Sequence, residues 1–227
     1  WDGINGVSFQ YLSLDLGASD SQQFAPGQYV YPNADIEASI YMASYLHHLT
    51  LFNRPSSYLL SVAGGSVDAD FQVGASFLPP GETDAAFSQS STGYADPNAQ
   101  MVVNLFGAPP LKHNFDLLDY EPTLTVDAAV MLAVPIGEYD DEKMVNLGLN
   151  RWYGRIAFPV TYYFGAFTPG DRNSFELIPS VWLFGENDDF MGQKLDNDPL
   201  WQLEAHLTHD FTRTFWASLD VLYRNGF

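Results

Sequence analysis

The charged residues most able to do chemistry stand at alternate positions inside otherwise apolar stretches. Glu204 and His206 lie in one such stretch, Asp220 and Arg224 in the next. If the two stretches pair as a hairpin across 210–214, Glu204 falls opposite Asp220 and His206 opposite Ser218. Neighbouring carboxylates repel, so one would hold a proton, or both would share a cation or an arginine. Arg224, two positions further along the same face, is the arginine within reach. Such a set can act as a charged constriction, or as a polar network that fills and stiffens the interior. Glu37, Asp127, Arg155 and Gln202 are polar members of the same kind of alternation and join the candidates. Tyr41, Trp182 and Trp216 are the aromatic residues that could stack against a ring from the same surface.

Other chemistries fit the sequence less well. His47-His48, His113, His206 and His209 invite a metal site. However, adjacent strand residues, and residues three apart, point to opposite faces, so these do not converge on one ion. Asp140-Asp141-Glu142 and Asp196-Asn197-Asp198 could offer oxygens to calcium, but neither has the spacing of a calcium loop and solvated acidic loops are commoner. No glycine loop for phosphate and no nucleophile motif is visible. With no cysteine, thiol chemistry is excluded. The expectation is a protein that is not an enzyme and carries no cofactor.

The elements that must position these residues have period two. Leu124, Val126, Ala128, Val130, Leu132 and Val134 alternate with Thr125, Asp127, Ala129, Met131 and Ala133. In a strand the first set forms one apolar surface. Trp201, Leu203, Ala205 and Leu207 repeat the pattern, as do Phe215, Ala217, Leu219, Val221 and Tyr223. Recurrence at two rather than at three or four excludes helices here. Nine strands are predicted, near 6–16, 36–52, 57–71, 97–107, 122–136, 150–165, 174–186, 199–209 and 214–225. The connections 17–35, 72–96, 137–149 and 187–198 are long or polar, whereas 53–56, 166–173 and 210–213 are short. The remaining one, 108–121, reads as a small helix through Leu111, Phe115, Leu117 and Leu118. Long and short connections alternate, as in antiparallel transmembrane β-barrels with long external loops and short periplasmic turns. The first strand then starts on the periplasmic side.

Composition agrees. Hydrophobic residues make up 46% of the 227, yet mean hydropathy is only −0.11, because apolar and polar residues interleave. No run approaches the roughly 18 apolar residues of a spanning helix. The net charge of −19, with 28 acidic residues against 9 basic ones, excludes nucleic acid as a partner. Trp1-Asp2-Gly3-Ile4-Asn5 is not a signal peptide, so the chain reads as a processed form. Nine is an odd count for a bacterial barrel, and Asn225-Gly226 is a turn signal, so further strands are expected beyond residue 227.

Several motifs follow one another. Gly93-Tyr94-Ala95-Asp96-Pro97 leads into a strand ending Asn104-Leu105-Phe106-Gly107. Pro135-Ile136-Gly137-Glu138-Tyr139-Asp140 and Asn146-Leu147-Gly148-Leu149-Asn150-Arg151-Trp152 come next, then Trp182-Leu183-Phe184-Gly185-Glu186-Asn187-Asp188-Asp189-Phe190. Over almost the whole chain this succession resembles the outer-membrane β-barrel family of MetA-pathway-of-phenol-degradation transporters. The resemblance implies a barrel of about twelve strands in the bacterial outer membrane, in contact with lipid bilayer and lipopolysaccharide. It also implies passive transport of small apolar or aromatic molecules. Physically the motifs look structural: Gly137 and Gly148 permit unusual backbone, while Pro97 and Pro135 mark strand limits. Asp96, Asn146 and Asn150 can hold turns. Two other readings remain open: a plugged barrel serving as a structural or partner-binding anchor, and a soluble lipid-binding barrel with its apolar residues turned inward.

Overall fold

The structure, a computed structural model, describes residues 3–18, 22–25, 28–30, 34–73, 85–109, 121–166, 168 and 170–226. Among these the secondary structure is all strand, and no helix is long and apolar enough to cross a membrane. The strands are β1 (Asn5–Ala18), β2 (Gln22–Ala25), β3 (Gln28–Val30), β4 (Ala34–Leu51), β5 (Arg54–Val73), β6 (Ala85–Tyr94), β7 (Asn98–Phe106) and β8 (Leu124–Ala133). They continue with β9 (Tyr153–Ala157), β10 (Val160–Gly165), β11 (Arg172–Phe184), β12 (Asn187–Phe190), β13 (Gln193–Leu195), β14 (Leu200–Asp210) and β15 (Trp216–Asn225).

Eleven of them form one antiparallel sheet along the path β1-β4-β5-β7-β8-β10-β11-β14-β15, with β6 beside β5 and β9 between β8 and β11. The path has nine positions, at the nine places where period two is strongest. Two positions are occupied by broken strands. Ala95-Asp96-Pro97 interrupts β6 and β7, and Phe158-Pro159 interrupts β9 and β10. Proline has no N–H for the ladder, which is why each break carries one. The single strand expected over 150–165 is therefore two. The expected loop 72–96 contains β6, and two of the other long connections, 17–35 and 187–198, hold the hairpins β2-β3 and β12-β13. The small helix expected over 108–121 falls mostly outside the described residues.

Directly opposed residues share a face, so the registers sort every side chain. Starting from Glu204, one face carries Asp220, Arg224, Glu176, Arg155, Asp127, Asn104, Ser61, Ser44 and, further along β4 and β5, Ile36, Ala38, Val67 and Phe71. Segment 134–152 folds onto this surface, which we term the inner face. Leu147 is buried there against Ile36, Ala38, Val67, Ala69 and Phe71, with Met144 and Val145 packed beside it. The outer face is apolar over most of its breadth. Val7, Tyr45, Leu60, Ala99 and Leu132 lie along one row of it. Val130, Leu203 and Leu207 project from it at 54%, 39% and 45% exposure, so the surface is not covered by protein.

Polarity inverts towards the long connections. On β1, β4 and β5 the outer positions there are Asp15, Glu37 and Asp68, aligned in one row, while the inner ones are the buried Ile36, Ala38, Val67 and Ala69. At this end the inner face is covered by 144–147 and the outer face is wet, reversing which side favours apolar residues. At the opposite end, β4 and β5 join through Phe52 and Asn53, both at positive φ (50° and 61°), the two-residue turn that matches the twist of a hairpin.

Candidate functional site

The polar ladder on the inner face of β9, β11, β14 and β15 is a bonded unit. Gln202 is its hub and is 7% exposed. Its carbonyl oxygen accepts from Trp182 Nε1 at 3.2 Å and from Arg224 Nε at 2.8 Å, while its Nε2 donates to Glu204 Oε1 at 2.7 Å. Glu204 is also paired with the Arg155 guanidinium, which lies 5.5 Å over the Trp182 ring. His206 Nδ1 stands 2.6 Å from Asp220 Oδ1, and Ser218 Oγ donates to Asp220 Oδ2 at 2.9 Å. Alternation on each strand and the antiparallel registers are sufficient to bring these residues together.

The hairpin register differs from the sequence expectation by two residues. Glu204 lies opposite Leu222, His206 opposite Asp220, and Gln202 opposite Arg224. The expected Glu204–Asp220 juxtaposition is therefore absent, and Glu204 is neutralised by Arg155 from β9. The reason is the turn. The strands stop at Asp210 and Trp216, and Phe211 N and Thr212 N both donate to Phe215 O, which closes a five-residue loop. Pairing Glu204 with Asp220 would instead require Asp210 opposite Thr214, a loop of only three residues.

Nine of the eleven candidates share the inner face: Asp127, Arg155, Trp182, Gln202, Glu204, His206, Trp216, Asp220 and Arg224. Glu37 and Tyr41 do not, a correction to the sequence reading. Glu37 belongs to the acidic outer row, where polarity alone misassigned it. Tyr41 is 63% exposed on the outer face and its ring lies 4.9 Å from that of Tyr11. Trp182 is on the expected side, but one face of its indole is under Arg155. Glu176 was missed: it stands directly opposite His206 on β11 and accepts from Thr161 Oγ1 at 3.1 Å. Alternation with Phe175 and Leu177 was the available signal. Asp127 is held by Asn104 Nδ2 at 2.8 Å.

The sequence motifs converge elsewhere, on segment 134–152. The Asp96 carboxylate accepts from Gly137 N and Leu149 N, both at 2.8 Å, clamping the two ends of the segment. Gly137 and Gly148 meet backbone to backbone. A Cβ on Gly137 would lie 2.7 Å from Asp96 N and 2.8 Å from Gly148 Cα, closer than atoms tolerate. Asn146 accepts from Asp140 N at 2.8 Å and donates to Asp140 O and Lys143 O. Asn150, at φ 53°, donates to Asn187, which in turn donates to Tyr139 Oη at 2.8 Å. The Tyr139 hydroxyl donates to Asp189 O, and burial raises its pKa, so it stays a neutral donor. Arg151, 2% exposed, bonds Asn197 and lies 5.0 Å over Phe184. The acidic runs at 140–142 and 196–198 are thus partly engaged in this knot. Among the described residues no three metal-ligating side chains cluster.

The model of the family described as "Putative MetA-pathway of phenol degradation" matches residues 19–223. The chain belongs to this family. No curated protein matches it. Among solved structures, the crystal structure of an outer membrane channel from Pseudomonas putida F1 superposes with a TM-score of 0.64 at 17% identity, over 99% of this chain and 73% of that one. The all-β antiparallel fold is therefore that of an outer-membrane channel.

Proposed function

We propose that this family member is an outer-membrane channel through which small solutes diffuse passively, its inner face turned to water and its outer face to lipid. The observation that carries this reading is the two-faced sheet. A continuous apolar outer surface backs an inner ladder in which Arg155, Arg224, Glu176, Glu204 and Asp220 are fixed by hydrogen bonds. A soluble lipid-binding barrel would have the opposite arrangement. The likeness to a channel and the family's description support transport, with small apolar or aromatic molecules as the class carried. Fixed charges of both signs suit passage past a polar wall, and an enzymatic role is not part of this reading. The partners are bilayer lipid and lipopolysaccharide.

One observation favours the alternative of a plugged, structural barrel: segment 134–152 seals part of the inner face with Leu147. Flux decides between them. In liposomes holding the folded chain, swelling in isosmotic solutions of small solutes, benzoate among them, is expected to exceed that of empty liposomes. Swelling no faster than the empty control would favour the plug.

A further inference from the structure

We propose that His206 sets the charge preference of this channel and makes it depend on pH. The inference rests on the reading that the inner face lines the path. Glu176, His206 and Asp220 occupy one rung on the adjacent strands β11, β14 and β15. His206 Nδ1 is 2.6 Å from Asp220 Oδ1, so the neutral ring donates there. Its other nitrogen, Nε2, lies 3.9 Å from Glu204 Oε2. A proton arriving at Nε2 therefore enters between carboxylates, and among the described residues no cation is in direct contact with it.

The surroundings are accounted for on every packed element. β9 supplies Arg155, through its pair with Glu204; β10 supplies Thr161, bonded to Glu176, and the Tyr163 phenol near it. β14 itself supplies Glu204, and β15 supplies Asp220, with Arg224 two rungs on. Asp127 on β8 and the Arg172–Asp210 pair, at 3.3 Å, lie beyond Glu176 or further along β14. Two guanidinium groups thus face three carboxylates around the ring, an excess of one negative charge. An imidazolium cancels it. Histidine is the side chain whose ordinary titration falls between about pH 5 and 8, and a charge on the wall of a solute path biases which ions enter.

The test uses the full chain in planar bilayers under a potassium chloride gradient, with reversal potentials read at about pH 8 and about pH 5.5. The wild type is expected to prefer cations at the higher pH. Its potassium-to-chloride permeability ratio should fall roughly two- to fivefold at the lower pH, the effect of one charge at close range. His206→Gln should give the same ratio at both. His48→Gln, altering the histidine on the inner face of β4, should keep the full change. A pH response that survives in His206→Gln, or none in the conducting wild type, overturns the proposal while leaving the channel reading intact. Folded wild type without current overturns both.

Discussion

Asp96 shows how one side chain can fix a whole connection. Its two oxygens each accept a backbone amide, one 41 and the other 53 residues away, and the residue is 4% exposed. Hydrogen bonds donated to a buried carboxylate are among the stronger ones, about 1.5–3 kcal/mol each. Asp96→Ala is therefore expected to lower stability by on the order of 2–4 kcal/mol, after relaxation of the freed amides. Urea unfolding of the lipid-reconstituted protein measures the loss, and an unchanged midpoint would show that the clamp is not needed. The sequence made Asp96 legible as a turn residue but not as a long-range clamp, because nothing local to 93–97 identifies Gly137 and Leu149 as its partners. The error at Glu204 has a different origin. Alternation placed it on one face with Asp220 and Arg224, but register depends on how Phe211–Phe215 bonding sets the turn length, which periodicity does not encode.

At the scale of elements, the strands with one apolar and one polar face were readable, and β8, β14 and β15 lie where alternation put them. β6 was not. Its outer positions Ser88, Ser90 and Thr92 and its inner Gln89 and Ser91 give polar residues on both faces, so a period-two pattern of hydrophobicity has nothing to detect. Glu37 failed for the related reason that polarity inverts near the long connections. Segment 134–152 depends on backbone contact between Gly137 and Gly148. Gly137→Ala would push a methyl group into Asp96 N and Gly148 Cα, and the segment can relieve that overlap only by lifting from the inner face. Limited proteolysis of the reconstituted variant should then cleave within 134–152 faster than in the wild type. Equal rates would mean that the two backbones can separate without releasing Leu147.

For the whole molecule, the central claim concerns which face meets water. The apolar outer surface is unfavourable in water over so large an area, and the charged inner ladder is unfavourable in lipid. Only one orientation of the sheet satisfies both. Alternation alone separates an apolar face from a polar one, whereas the bonded ladder, with Glu176 in it, requires the register of four strands. The absence of native cysteine permits a direct test by single substitutions. Thr161→Cys and Thr208→Cys lie on the inner face, and Ala128→Cys and Ala205→Cys on the outer. In sealed liposomes, the two inner cysteines should react with a water-soluble, membrane-impermeant thiol reagent, and the two outer ones should be protected until detergent is added. Labelling of the outer pair with protection of the inner pair would contradict the assignment and return the protein to the class of soluble barrels with apolar interiors.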